Sequence, residues 1–323
     1  MKIINGPTPK SAIFLLIEDD GSLDNRGQLM LDDFSGADLV SKRVFYNGDS
    51  IYDVWLSPAG EIWVCSSYGN IYTTADVNFP ESPVKSRFSL DHDDIRNSGY
   101  NWKMYTLDAV QNGCSIWSPD GLNVFVGTYS GHVYLWNGTS WTQQETPTSK
   151  NDGKYITDLA GSSANHVFAI GNHSRALHHY NGKTWKPTAY NDKTHGRLAA
   201  TGLLQHPDGY CYLACEGGRV WKTRDGQQFD LVAENPELDF SSMAFVLDQL
   251  ILAAGDKGVY AYKDGKLESL RNTFAPQRVS GHGNQAVFIR PNIETEEMIT
   301  LAYAVYSDSP DKPWRGYSFH FNK

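Results

Sequence analysis

The chain has 323 residues, 40% hydrophobic and 20% charged, with 37 carboxylates against 28 Lys and Arg for a formal charge of −9. It is too apolar and too weakly charged for a disordered chain. An acidic chain is also a poor counterion for a phosphate backbone, which argues against nucleic acid as a partner.

The first long apolar run, residues 12–17, is too short for a signal-peptide core and meets Glu18, Asp19 and Asp20 at once. No run approaches the ~20 apolar residues of a membrane span. The expectation is therefore a soluble, cytoplasmic protein. The segment up to residue 47 has room for three strands, near 12–17, 28–31 and 43–46.

From residue 53 the chain repeats itself. The first copy reads Asp53-Val-Trp-Leu-Ser-Pro-Ala-Gly60, Glu61-Ile-Trp-Val64, Gly69-Asn-Ile-Tyr72. An insertion near 76–104 follows, expected between blades and carrying Asp91-His-Asp-Asp94. These residues read as an acidic loop rather than a metal site. The second copy has Ser118-Pro-Asp-Gly121, Asn123-Val-Phe-Val-Gly127, Gly131-His-Val-Tyr-Leu-Trp136 and Asn137-Gly-Thr-Ser-Trp141. The third has Asn165-His-Val-Phe-Ala-Ile-Gly171, Arg175 to Tyr180 and Asn181-Gly-Lys-Thr-Trp185. The fourth has His206-Pro-Asp-Gly209, Tyr210 to Ala214, Gly218-Arg-Val-Trp221 and Asp225-Gly-Gln-Gln-Phe229; the fifth has Leu250 to Gly255, Gly258-Val-Tyr260 and Asp264-Gly265. The turn glycines Gly138, Gly182, Gly226 and Gly265 are spaced by 44, 44 and 39 residues. A last unit fits strands near 286–289, 299–306 and 317–321.

Within each copy, short runs of Val, Ile, Tyr, Trp and Phe alternate with Gly, Asn, Asp and Pro, the pattern of strand after strand with tight turns. Asn-Gly and Asp-Gly suit two-residue hairpins. No sustained helical period occurs. Four strands in about 44 residues make a β-propeller blade. The prediction is one all-β domain over 1–323, a single β-propeller with blades of about 40–46 residues. Seven blades fit the length best, and six or eight remain open. Strands from both termini sharing one blade would hide the free edges.

The four cysteines, Cys65, Cys114, Cys211 and Cys215, are too few for a disulfide framework. Cys211 and Cys215 fall four residues apart on a strand, about 13 Å, too far to bond or share a metal. They read as small buried hydrophobes. His178 and His179 face opposite ways on theirs.

The run from Ile51 to Val64 with Gly69-Asn-Ile-Tyr72, and Asn181-Gly-Lys-Thr-Trp185, resemble bacterial propellers of the Asp-box and photosystem-assembly-factor type, within the WD-repeat-like superfamily. Gly182-x-Thr184-Trp185 and Gly138-x-Ser140-Trp141 match the second half of the Asp-box pattern Ser-x-Asp-x-Gly-x-Thr-Trp. Tyr180 and Trp136 stand where its Asp belongs, and Asp225 is shifted by one. The resemblance implies the fold and leaves function to the site. Asp-box propellers include sialidases, but the arginine cluster and Tyr–Glu pair of such enzymes cannot be mapped here. No Gly-x-x-x-x-Gly-Lys-Ser/Thr, Gly-x-Ser-x-Gly or His-Glu-x-x-His occurs.

Function is therefore expected at a surface. If each copy runs from inner to outer strand, one rim carries the Ser-Pro-x-Gly and Asn-Gly turns. The other carries the remaining loops, with Tyr68, Tyr129, His173, Glu216 and Asp256. The insertion residues Asp91, Asp93, Asp94, Arg96 and Trp102, and His195 and Arg197, are placed on that same rim. Residues 1–100 hold 15 carboxylates against 8 Lys and Arg, which suits a basic partner. The reading is a non-catalytic protein binder without cofactor or metal, monomeric when free. Its favoured role is an immunity protein that occludes a basic toxin domain. The alternatives are an assembly factor or scaffold, and a carbohydrate-binding protein or glycosidase that would bind its ligand in the propeller's central funnel.

Overall fold

The computed structural model describes residues 2–5, 11–18, 26–33, 40–90, 93–108, 112–149, 155–171, 177–188, 200–282, 284–290, 293–294, 298–307 and 313–322. Each segment between turns holds enough β-branched and aromatic residues for one strand, and the strands assemble into seven sheets in chain order. Blade 1 is β1 (Lys2–Asn5), β2 (Ser11–Glu18), β3 (Arg26–Asp33) and β4 (Val40–Asn47). Blade 2 is β5 (Ile51–Leu56), β6 (Ile62–Ser66), β7 (Asn70–Thr73) and β8 (Lys103–Thr106). Blade 3 is β9 (Gly113–Trp117), β10 (Val124–Thr128), β11 (Val133–Trp136) and β12 (Trp141–Gln144). Blade 4 is β13 (Ile156–Ser163), β14 (His166–Gly171), β15 (Leu177–Tyr180) and β16 (Trp185–Pro187). Blade 5 is β17 (Ala200–Gln205), β18 (Cys211–Cys215), β19 (Arg219–Thr223) and β20 (Asp230–Glu234). Blade 6 is β21 (Ser242–Val246), β22 (Gln249–Ala253), β23 (Val259–Lys263) and β24 (Lys266–Arg271). Blade 7 is β25 (Arg278–His282), β26 (Gln285–Ile289), β27 (Ile293–Glu294), β28 (Met298–Ser307) and β29 (Trp314–Asn322).

All ladders are antiparallel, for example Val64 opposite Tyr72 and Val126 opposite Tyr134. The seven-bladed all-β propeller read from the repeat is the observed fold. The one α-helix among the described residues is the single turn α1 (Asp93–Arg96), so none is long and apolar enough to cross a membrane.

The first strand of each blade lies innermost and touches the first strand of the next, so each copy runs outward from the axis. The cores lie between blades, where apolar faces of neighbouring sheets meet. One cluster joins Phe45 and Val44 of blade 1 to Val54, Val64 and Tyr72 of blade 2. Another joins Trp63 and Ile71 of blade 2 to Val124, Val126 and Trp136 of blade 3. Gly127 shows how close the sheets come, since a Cβ there would lie 2.5 Å from the Ile156 side chain of the next blade.

Three expectations are corrected. Among the described residues no blade mixes strands from the two ends of the chain. Instead β1 packs beside β25 and β26, and the ring is closed by side-by-side packing. The insertion does not separate two blades; it spans 74–102 inside blade 2, between β7 and β8. Finally, Asn137-Gly and Asn181-Gly do not form two-residue hairpins. Trp136 pairs with Trp141, and Tyr180 with Trp185, which leaves four-residue loops.

In those loops the Asn side chain makes the turn. Asn137 Oδ1 accepts the N–H groups of Thr139 and Ser140, and Asn181 Oδ1 those of Lys183 and Thr184. Asp225 does the same for Gln227 and Gln228. The Asx turn needs no left-handed Asn, so only the glycine takes positive φ. The tryptophan ending each loop opens the fourth strand and reaches back to the preceding blade. Trp185 Nε1 donates to Gln144 Oε1 at 2.8 Å, and Trp141 lies 6.0 Å from Tyr105 ring to ring.

All four cysteines are free; Cys211 and Cys215 are buried as expected, and Cys65 is buried too. His178 and His179 do face opposite ways. The first meets Thr148 Oγ1 at 2.5 Å, and the second stacks on Phe168.

Candidate partner-binding face

The outward run of each blade separates two faces. One carries the turns between first and second and between third and fourth strands. The other carries the loops between second and third strands and the connections between blades. This second face holds Tyr68, Tyr129, Glu216 and Asp256, all exposed, as the sequence reading placed them.

The insertion departs from that reading because it is rooted on the turn face, at Thr73 and Lys103. It climbs the outer flank of blade 2 until Ser82 Oγ accepts the N–H of Thr106, and Phe88 meets Tyr68 on the loop face. Arg87 lies over the Tyr68 ring at 3.9 Å. The segment then returns against blade 1, with α1 beside β4.

Trp102 is therefore not a surface residue. It is 6% exposed, packs edge-on against Phe45 and donates Nε1–H to Val44 O at 3.1 Å. An indole between two sheets buries a large apolar area, and its N–H is satisfied by a backbone carbonyl. Asp93, Asp94 and Arg96 form α1 on the outer flank, away from the axis, with Arg96 exposed. Asp91, His173, His195 and Arg197 lie outside the described residues, as does the acidic loop 19–25. Among the described residues, no group of three or more His, Cys, Asp or Glu is placed to hold a metal ion.

The linear reading raised the axial channel only as the funnel of the carbohydrate alternative and assigned no residue to it. On the loop face it opens as a cavity of about 500 Å³ lined by Tyr52, Asp53, Tyr129, Tyr155, Asp158 and Arg278, among others. The three tyrosines come from blade 2, from a loop of blade 3 and from the connection into blade 4. They form one row, with ring centroids 5.5 Å apart for Tyr52 and Tyr129 and 5.0 Å for Tyr129 and Tyr155. Tyr52 and Tyr129 are 37% and 43% exposed. Partial burial and neighbouring negative groups push the Tyr52 hydroxyl up to about 12. The linear signal was available for Tyr129 alone, because only a folded ring brings residues 52, 129 and 155 together.

The channel carboxylates also brace the ring. Asp53 accepts the N–H of Val54 at 2.8 Å and of Ile116, in the next blade, at 2.9 Å. Asp158 repeats this with Leu159 and with Leu203 of the next blade. Ser242 takes the corresponding place before blade 7 and accepts the N–H of Val279. Arg278 donates Nη1–H to Ser241 O at 2.8 Å.

Exposed carboxylates stand on the loop face at Asp108, Glu145, Glu216, Glu237, Asp239 and Asp256, alongside Lys85, Arg87, Lys257 and Arg278. On the turn face the channel opens differently. A cavity of about 750 Å³ lies off-axis beside blades 5 to 7, lined by Gln205, His206, Phe245, Leu247 and Asp248 among others. It shares Met243, Val279 and Ser280 with the first.

Comparison with solved structures finds the same fold at low identity. The WD40 β-propeller domain of Doa1 superposes with a TM-score of 0.58 at 11% identity, over 88% of each chain. YCF48 from Cyanidioschyzon merolae gives 0.57 at 16%, over 89% of this chain and 94% of that one. BamB from Moraxella catarrhalis gives 0.52 at 12%, over 90% and 81%. No protein-family model matches the sequence, and no curated protein does.

Proposed function

We propose that this chain is a protein-binding propeller that engages its partner through the loop face. The observation that carries this reading is the row of half-exposed tyrosines at the channel mouth, set among exposed carboxylates. Tyrosine supplies contact area at low entropic cost, and exposed aromatics in a concavity are where binding energy concentrates. The channel's Asp53, Asp158 and Arg278 already hold backbone groups of neighbouring strands, which makes them ring braces before reagents. A solved propeller of the same fold, YCF48, is bound to the D1 peptide.

In its finer form the reading is an immunity protein. The acidic face covers the active site of a basic toxin domain, and occlusion requires no chemistry of its own. An assembly factor or scaffold would use the same face on a different client.

The test is affinity capture of the tagged chain from its native host, with mass spectrometry of what co-elutes. A stoichiometric basic partner is expected, with capture falling as salt rises. Glu216→Lys together with Asp256→Lys should weaken capture about tenfold. Specific signals on a glycan array without a protein partner would replace this reading with the carbohydrate-binding one.

A further inference from the structure

We propose that the loop-face mouth of the axial channel receives a cationic side chain, Arg or Lys, from an extended segment of the partner. This rests on the protein-binding reading above and names the chemistry at its centre.

Tyr52, Tyr129 and Tyr155 line one side of the mouth as a contiguous aromatic row. Asp53 and Asp158 line the same cavity from blades 2 and 4. Aromatic faces and carboxylates attract the same ligand, a cation with an apolar stem. The cavity is large enough for such a side chain to enter with part of its backbone, at about 500 Å³. A guanidinium also matches the mixed lining, since it stacks on rings and donates in a planar fork. Among the described lining residues Arg278 is the one cation; it is held by Ser241 O, as Asp53 and Asp158 are held by backbone N–H groups, so the balance of charge in the lining is two carboxylates to one guanidinium. An anionic ligand would meet two carboxylates against that single cation. Among the exposed loop-face charges named above, carboxylates outnumber cations six to four.

The experiment pans displayed random 12-residue peptides against the full chain. Enriched peptides are expected to share an Arg or Lys at one position. A synthetic copy with Gln there should bind at least tenfold more weakly. Tyr129→Ala should cost about tenfold, while Tyr129→Phe keeps most of the affinity. Thr157→Lys sets a competing ammonium on an exposed residue of the cavity lining and should abolish binding without touching the core. It keeps the test decisive should Tyr129→Ala fold poorly. Lys183→Ala, on the turn face, should change nothing.

Peptides without a fixed basic residue, no enrichment at all, or binding indifferent to Tyr129→Ala and Thr157→Lys would overturn the proposal. A partner captured from the host that releases on Glu216→Lys with Asp256→Lys, yet ignores Thr157→Lys, would remove the cation pocket while leaving the protein-binding reading intact. Failure of both would remove both.

Discussion

Single side chains do most of the joining between strands that the backbone ladders leave apart. Asp49, fully buried in the connection into blade 2, collects Ser66, Ser67, Asn70 and Tyr72 as donors. Burial raises its pKa and the four donors lower it, with burial the larger. In blade 4 the corresponding pair is Thr148 and His178. Burial holds the His178 imidazole down at about 4, against an ordinary 6.5. The unfolded chain therefore takes up this proton before the folded one does. The stability at stake, about 3 kcal/mol at most, is fully present above pH 6.5 and is lost as pH falls to about 4. Thermal unfolding followed from pH 7 to pH 4 should show a shallower loss for His178→Gln than for the unaltered protein. Equal slopes would rule this out. Asp49 works in the opposite direction, and comparing the two proteins at each pH cancels it. His178 and Asp49 were visible in the sequence only as residue types, because burial, which gives them their properties, is a fact of blade packing.

Turns are where local chemistry and sequence reading agree most closely. Ser57 and Ser118 organise the turn after a first strand by accepting backbone N–H groups on Oγ. In the fourth copy His206 takes over with Nδ1, accepting from Asp208 at 3.2 Å. Asp264-Gly265 is the true two-residue hairpin, with φ of 50° and 80° and Lys263 opposite Lys266. The hairpin of β21 and β22 has the same geometry without a glycine, with Leu247 and Asp248 at 54° and 57°. That turn demands positive φ at both places, which L side chains adopt at a cost. Asp248→Gly should raise the melting temperature, by about 1 kcal/mol in stability, with Leu247 kept because it packs on the core. Gly265→Ala should lower stability by a similar amount. Calorimetry of the two variants checks both signs, and a destabilised Asp248→Gly would mean that its carboxylate does more than turn the chain.

At the scale of the ring, closure is the feature that sets this propeller's mechanics. Blade 1 comes wholly from the N-terminal segment and blade 7 wholly from the C-terminal one, so no ladder hydrogen bonds cross the seam between β1 and β25. Every other junction is also tied by a covalent connection between consecutive blades. Local opening follows the weakest joint. Backbone amides of β1 and β25 should therefore exchange with deuterium faster than those of β9 and β13, where Ser115 Oγ donates to Ile156 O across the blades. A uniform exchange profile around the ring would contradict this. The tyrosine row spans blades 2 to 4, away from the seam, whereas Arg278, Val279 and Ser280 of β25 line the same cavity. A partner seated in that mouth meets β25 as well, so its binding should slow exchange at the seam.

The sequence by itself determined the architecture. Strand length, turn chemistry and a repeat of about 44 residues are local or periodic properties, and a propeller with almost no helix follows from them; the structure fixed the blade number at seven, because the first and last units diverge from the repeat. It also placed Tyr68, Tyr129, Glu216 and Asp256 on one face, because alternation along an up-and-down sheet assigns each loop to a side. Only the tertiary structure decided what lies beside what. Trp102 became core because the insertion folds back between two blades, and no periodicity reports a non-repeated segment. The channel mouth exists because seven first strands meet at an axis and bring Tyr52, Tyr129 and Tyr155 together across about a hundred residues of chain. Contact across that separation is a consequence of closing the ring, a global condition that no local window of sequence contains.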